Sequence, residues 1–104
     1  MKGYTPRPYY SLADVKRLAA AGNVFFARRR DGRSNPGQVG MTTREAHAVI
    51  AALVPRDFDL TSYDGPMPAD VYKVPMLGCP GVWLYIKLQI TEEGDLLVVI
   101  SFHT

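Results

Sequence analysis

The last third of the chain alternates between apolar and polar residues in a pattern that predicts a β-hairpin. Successive side chains of a strand point to opposite faces of a sheet. In the first arm, residues 83–90, four aliphatic side chains share one face: Leu84, Ile86, Leu88 and Ile90. The acidic segment TEEGD, residues 91–95, follows as a turn.

The second arm of the hairpin, residues 96–103, contains two interleaved sets of side chains. One set is entirely apolar: Leu96, Val98, Ile100 and Phe102. The other set ends in polar residues: Leu97, Val99, Ser101 and His103. Pairing the two even-numbered sets buries the most apolar area, and a slip by one residue would move a whole set into water. We therefore expect eight apolar side chains of the hairpin to face the core.

The opposite face of the hairpin contains side chains that can bind a ligand or transfer protons. It holds an indole, a phenol, a cation, a hydroxyl and an imidazole: Trp83, Tyr85, Lys87, Ser101 and His103. Such a group could bind a phosphodiester, stack a base and transfer protons. The alternative interpretation is a half-solvated sheet face with a frayed C-terminus.

Two amphipathic helices precede the hairpin. Ser11 and Asp14 have the spacing of a capping box, and so do Thr42 and Glu45. The first helix has an apolar stripe formed by Leu12, Val15, Leu18 and Ala19, and Gly22 follows as a C-cap. The second has a stripe formed by Ala46, Val49, Ile50 and Leu53, and Pro55 ends it.

The remaining segments predict short strands and loops. Residues 24–28 and 70–76 are strand candidates, and Pro75 favours an edge position or an early end for the second. Residues 29–40 and 62–68 are predicted to be irregular. The order of elements indicates an α+β fold, in which two helices pack on a mostly antiparallel sheet that ends in the C-terminal hairpin.

Size and composition describe one ordinary domain. The 104 residues, 47% of them hydrophobic, correspond to a single domain over residues 1–104. No apolar run approaches the roughly 20 residues of a membrane span, and the start has no signal-peptide pattern. Cys79 is the single cysteine, which excludes an internal disulfide and fits the cytoplasm.

Charge is distributed unevenly along the chain. Residues 1–56 hold ten Lys or Arg and three acidic residues, a formal charge of +7, whereas residues 57–104 carry −5. A basic half suggests an anionic partner such as nucleic acid, unless the fold mixes the two halves. Four arginines crowd six positions and could clamp an RNA backbone or form a solvated loop: Arg28, Arg29, Arg30 and Arg33.

Other candidate sites carry less weight. His47 lies beside the apolar stripe of the second helix and is interpreted as a surface residue. Three aspartates, Asp57, Asp59 and Asp64, match no compact metal-binding motif, so no metal is expected. The chain lacks the motifs GxxxxGK[ST], GxGxxG, HExxH and GxSxG, which argues against nucleotide hydrolysis, dinucleotide binding, zinc proteolysis and α/β-hydrolase chemistry.

Several segments, taken in order, resemble the MqsR (motility quorum-sensing regulator) toxins of type II toxin–antitoxin pairs. They are YYSLADVKRLAAAGNV, a helix followed by RDF, then DVYKV, LYIKLQI and a terminal VVISFH, running from about Thr5 to His103. The resemblance implies a compact RelE-like domain and an mRNA interferase. Such an endoribonuclease needs no metal, cofactor or ribosome. It also implies a cognate antitoxin that binds DNA and is encoded next to the toxin.

The resemblance assigns site residues one by one. The family's active-site tyrosine falls on Tyr85 and its LYIKL lysine on Lys87, while His103 stands where the family usually has lysine. Lys73, in DVYKV, and Trp83 join the arginines as expected RNA contacts. Two family positions are unmatched, because no lysine follows RDF in DFDLTS and Ala69 stands where glutamine is common.

These departures leave more than one function open. In one hypothesis His103 takes over acid or base work and arginines supply the missing cation, since histidine gains and loses protons near neutral pH. In the second, the chain is a catalytically weakened module that binds its antitoxin or RNA without cleavage. A third is a nuclease of the same fold that acts only on the ribosome.

Overall fold

Two helices and five strands make up the structure, a computed structural model that describes residues 7–104. The helices are α1 (Leu12–Ala20) and α2 (Thr43–Ala51). The strands are β1 (Val24–Phe26), β2 (Phe58–Ser62), β3 (Ala69–Pro75), β4 (Trp83–Ile90) and β5 (Leu97–His103). Short 3₁₀ turns occupy Pro36–Val39 and Pro55–Asp57.

The strands form one sheet in the order β1-β5-β4-β3-β2. Three of the four pairings are antiparallel, and β1 runs parallel to β5. The helices contribute to the same apolar cluster as β3, β4 and β5. This is the predicted α+β architecture, with two helices on a mostly antiparallel sheet and a C-terminal hairpin.

Both helices begin where the sequence predicts. The Thr42 and Glu45 side chains each bond the other residue's backbone N–H, so this capping box is complete. Only half of the first box forms, because Ser11 caps the Asp14 N–H while the Asp14 carboxylate pairs with Arg17 at 3.3 Å. Gly22 ends α1 with a φ of +77°, a conformation that glycine adopts without strain.

A β-bulge in β5 makes the predicted orientation of that strand wrong for most of its length. Lys87 pairs with Ser101, but Leu88 pairs with Val99, so Ile100 is an extra residue in the ladder. Leu97 and Val99 are therefore buried, and the predicted set of Leu96, Val98 and Ile100 is only partly covered. Phe102, beyond the bulge, is buried as predicted.

Other boundaries also differ from the sequence prediction. Strand β2 was not expected. It pairs with β3 only from Ala69 to Tyr72, so Pro75 lies at the end of β3, where the strand has no partner on the β2 side. Strand β1 ends at Phe26, before the predicted residue 28. The predicted loop over residues 29–40 contains the 3₁₀ turn that follows Asn35.

The core lies on one face of the sheet, under the helices. Fully buried side chains from both helices and three strands include Leu18, Ile50, Tyr72, Ile86 and Phe102. The opposite face of the sheet is accessible to a ligand at β4, because every second side chain of that strand from Trp83 onward points away from the core. No helix within residues 7–104 is long and apolar enough to cross a membrane.

A buried carboxylate fastens the N-terminal segment to this scaffold. Asp70 is 0% exposed, and its oxygens accept hydrogen bonds from the backbone N–H groups of Tyr9 and Tyr10 at 2.9 and 2.8 Å. The hydroxyl of Thr61 donates to the same carboxylate at 2.6 Å. Burial and then the Asp70 charge raise the pKa of the neighbouring Tyr72.

Replacing Asp70 with alanine should destabilise the fold substantially. The change removes the shared acceptor of three part-buried donors, so we expect Asp70→Ala to lower the free energy of unfolding by about 2–4 kcal/mol. Urea denaturation followed by circular dichroism measures this loss. The exposed Asp64→Ala is the matched control, with a change within about 0.5 kcal/mol. Equal losses in the two variants would contradict this role of Asp70.

Candidate functional site

Strand pairing brings the predicted side chains into rows on the outer face of the sheet. Tyr85 lies opposite His103 on one side and opposite Lys73 on the other. In the next row, Lys87 lies opposite Ser101. The predicted grouping of Tyr85, Lys87, Ser101 and His103 on one face is therefore confirmed by the register, even though the bulge changes the strand before Ser101.

These rows adjoin the loop that follows β1. Six residues line a surface cleft of ≈ 430 Å³, and we call them the polar cluster: Arg29, Arg33, Tyr85, Lys87, Ser101 and His103. Three permanent cations and an imidazole thus surround one cleft. Two arginines of the basic half of the sequence, Arg29 and Arg33, lie at this part of the surface.

The aromatic pair at the centre of the polar cluster is closely stacked. The ring centroids of Tyr85 and His103 are 4.9 Å apart, and the ring planes differ by 23°. Both side chains are half-buried. The stack limits rotation of the imidazole while leaving part of its ring open to solvent.

One ring nitrogen of His103 has two polar neighbours. Nδ1 lies 3.1 Å from Nη2 of Arg33 and 3.1 Å from the main-chain oxygen of Thr104. When Arg33 donates to Nδ1, a neutral ring carries its proton on Nε2. When Nδ1 instead donates to Thr104, a neutral ring has its lone pair on Nε2. The contact made by Arg33 therefore selects whether Nε2 donates or accepts a proton.

The arginine loop, residues 28–33, is attached to the end of β5. The Phe102 N–H donates to the carbonyl of Arg33 at 2.6 Å. The Arg29 guanidinium donates to the Ser101 hydroxyl at 2.6 Å and to the Ile100 carbonyl at 3.3 Å. The loop thus occupies the edge of β5 that β1 leaves free, and the two arginines are aimed at the cleft.

Asp31 organises the arginine loop and was not predicted from the sequence. One carboxylate oxygen accepts the Arg33 backbone N–H at 3.0 Å, and the other accepts Nη2 of Arg29 at 3.2 Å. This backbone hydrogen bond, together with the charges of Arg29 and Arg33, lowers the pKa of Asp31. The available signal was its position as the single acid within RRRDGR.

The predicted RNA contacts divide into three groups. Arg29 and Arg33 line the polar cluster. Trp83 and Lys73 lie in an adjoining cleft, where the Lys73 ammonium is 3.4 Å from the Asp59 carboxylate. Arg28 and Arg30 are exposed and line neither cleft, so the structure does not bring these two to the site.

The candidate metal ligands considered from the sequence also separate. Asp59 pairs with Lys73, while the Asp57 carboxylate accepts the backbone N–H of Val54 at 2.9 Å. Within residues 7–104 no three His, Cys, Asp or Glu side chains converge on a common point.

Comparison with known families identifies the family of the chain. The family model described as motility quorum-sensing regulator, toxin of MqsA, matches residues 7–104. The chain belongs to the MqsR toxin family. It is therefore the toxin of a toxin–antitoxin pair, as the sequence resemblance implied, with an MqsA-type antitoxin as its partner. The expected start of that resemblance, at Thr5, lies outside the described residues. No curated protein matches the chain.

The ionisation of Asp31 should make the stability of this MqsR family member depend on acid. Its pKa is lower in the folded than in the unfolded protein, so the stabilisation is fully present above the unfolded-state value, near 3.9 for Asp. It is lost as the pH falls through the lower folded-state pKa. Asp31→Asn should thus unfold more easily than wild type at neutral pH, and the difference should shrink at about pH 2.

Thermal or urea unfolding of both proteins at the two pH values measures this effect. High salt serves as a control, because it screens the part that comes from the exposed guanidinium groups. A difference between wild type and Asp31→Asn that stays constant with pH would contradict the assigned role of the charge.

Proposed function

We propose that the protein is an mRNA interferase, an endoribonuclease that cleaves RNA through attack of a ribose 2′-OH on the adjacent phosphodiester. The observation that carries this proposal is the stacked Tyr85–His103 pair with Arg33 at 3.1 Å from Nδ1, inside a cleft that Lys87 and Arg29 also line. The mechanism uses groups of the chain itself and calls for no metal or cofactor.

In this mechanism His103 is the general base. A substrate phosphate draws the Arg33 guanidinium away from Nδ1, because a full negative charge is a better acceptor than a neutral nitrogen. The proton of His103 then stays on Nδ1, which donates a hydrogen bond to the main-chain oxygen of Thr104, 3.1 Å away. Nε2 is left with a lone pair and takes the proton of the 2′-OH. Substrate binding thereby prepares the base that acts on it.

Tyr85 is assigned the role of general acid. The bond from O2′ to phosphorus forms while the bond from phosphorus to O5′ breaks. The phenolic proton of Tyr85 passes to the leaving O5′. The imidazolium of His103, stacked at 4.9 Å, then returns its proton to the phenolate through water. The products are a 2′,3′-cyclic phosphate and a 5′-OH, and the enzyme is regenerated.

The cations of the polar cluster stabilise charge on the pentavalent phosphorane. Arg33 offers a planar fork for two phosphate oxygens, and Lys87 adds a point charge from the next row of the sheet. Arg29 contributes its positive field while staying bonded to Ser101. Preorganised charge of this kind is usually the largest single contribution to catalysis.

The biological setting follows from the substrate. We place the toxin in the cytoplasm, where mRNA is available, and we expect its antitoxin to be a DNA-binding protein encoded next to it. Cleavage of mRNA would inhibit translation and growth until the antitoxin binds.

A binding-only module remains the second candidate, and one observation favours it. Ala69, at a position where related toxins commonly carry glutamine, is 2% exposed and has no polar side chain to offer. No lysine follows Phe58 in β2 either. Such a module would bind antitoxin or RNA through the same surface without cutting.

Removing the imidazole should abolish most of the activity. We expect wild type to cut naked RNA in EDTA and to leave 2′,3′-cyclic phosphate ends, while His103→Ala is about 10²–10⁴-fold slower. His47→Gln is the control, because His47 lies on α2 against Phe26, away from the polar cluster. The measurement is single-turnover cleavage of an end-labelled RNA.

Each other result of this assay selects among the candidates. Cleavage that requires added ribosomes would point to the ribosome-dependent mechanism. Unchanged cleavage by His103→Ala would refute the role of the imidazole. No cleavage by folded wild type, with or without ribosomes, would support the binding-only module.

The two kinds of arginine in the loop should behave differently. Arg33→Gln removes both a phosphate contact and the group beside Nδ1, so we expect cleavage to slow by about 10²-fold or more. Arg30→Gln removes the same charge from a residue that lines neither cleft, and its rate should stay near wild type. Equal losses would indicate general attraction of RNA and no specific role for Arg33.

A further inference from the structure

A second cleft adjoins the polar cluster along β4. It has a volume of ≈ 580 Å³ and is lined by Lys73, Trp83, Leu84, Tyr85, His103 and Thr104. Tyr85 and His103 line both clefts, so their stack forms a shared wall. A single-stranded substrate whose phosphodiester lies at this stack has a neighbouring nucleotide on each side.

The two clefts differ in charge. Arg29, Arg33 and Lys87 face one cleft, opposed by the single carboxylate of Asp31. The other contains only the Lys73 ammonium, and the Asp59 carboxylate lies 3.4 Å from it. A phosphate therefore gains most on the cationic side. The side without net charge suits a neutral aromatic group.

Trp83 supplies the surface that such a group would contact. Its side chain is 56% exposed, although burying an indole is normally favourable. It precedes Tyr85 by two residues on β4, so the two side chains share a face about 7 Å apart. From Trp83 to Lys87 the strand rises about 13 Å, well beyond the roughly 3.4 Å rise of one stacked nucleotide. The surface is thus long enough for more than one nucleotide.

We propose that the Trp83 cleft is a nucleobase-binding subsite. The base of a nucleotide that flanks the cleaved phosphodiester stacks on the indole of Trp83, while the phosphate itself stays among the cations of the polar cluster. Trp83 then determines how tightly the nucleic acid strand binds and how much that binding depends on the presence of a base. It takes no part in proton transfer. This inference rests on the proposed ribonuclease function.

Tryptophan fluorescence reports directly on this subsite, because Trp83 is the only tryptophan of the sequence. The ligand is a short 2′-deoxy oligonucleotide, which lacks the attacking hydroxyl and stays intact. Its counterpart is an abasic strand with the same number of phosphates. We expect the base-bearing strand to quench the tryptophan fluorescence at saturation and the abasic strand to leave it unchanged.

Variants separate stacking from attraction between charges, with affinity measured by anisotropy of a dye-labelled strand. Trp83→Leu should weaken binding of the base-bearing strand by about 5- to 150-fold, and Trp83→Phe should restore much of the loss. The affinity for the abasic strand should be the same in wild type and Trp83→Leu. Tyr63→Leu, which alters an aromatic side chain that is 69% exposed elsewhere, is the matched control and should bind as wild type does.

Salt dependence gives a second, independent readout. Trp83→Leu should lower affinity without changing the slope of log K against log salt, because stacking releases no counterions. Arg33→Gln should reduce the steepness of that slope by about 0.7, the value for one phosphate contact to a single strand.

The failure of this inference differs from the failure of the nuclease proposal. Saturable binding with unchanged tryptophan fluorescence, or an equal loss for both strands in Trp83→Leu, overturns the subsite even if RNA is cut. Base-dependent quenching without any cleavage of RNA keeps the subsite and overturns the nuclease. Failure of both strands to bind overturns the subsite, and the cleavage assay with RNA then decides the nuclease proposal by itself.

Discussion

The bulged pairing of β4 with β5 is the constraint on which the rest of the molecule depends. Before the bulge at Ile100, β5 turns Leu97 and Val99 into the core, and beyond it Ser101 and His103 point outward. Without the extra residue, the same strand could not bury Val99 and also set His103 beside Tyr85, because the two positions have the same parity. The extra residue, Ile100, therefore allows the first part of β5 to be buried while its end lies at the exposed polar cluster.

The bulge also accounts for how distant parts of the sequence meet. It lies where β1 ends, and the arginine loop continues along the same edge through the Phe102 N–H and the Ile100 carbonyl. Arg33 thereby reaches His103 across 70 residues of sequence. Arg29 and Arg33, from the basic first half of the chain, thus line a cleft with residues from its end, so the polar cluster forms only when the sheet does.

Sequence reasoning predicted the parts that depend on local pattern. Both helices, their stripes and the placement of Tyr85 and His103 on one face follow from periodicity and capping. The inward set of β5 was wrong because residues 97–100 are apolar at every position, so either orientation satisfies the pattern. Asp31 and Asp59 were not recognised as partners, because each acts through a cation that only the fold brings near.

Charge is distributed unevenly on the two sides of the Tyr85–His103 stack. The segment after Phe58 has no lysine, and Asp59 there neutralises Lys73, so the β3 side of the Tyr85–His103 stack has no net charge. On the other side, Arg29 and Arg33 add cations next to the imidazole. A phosphodiester is stabilised wherever preorganised positive charge lies. The electrostatic centre of the proposed site therefore lies on the β5 side, next to His103, which we propose as the general base.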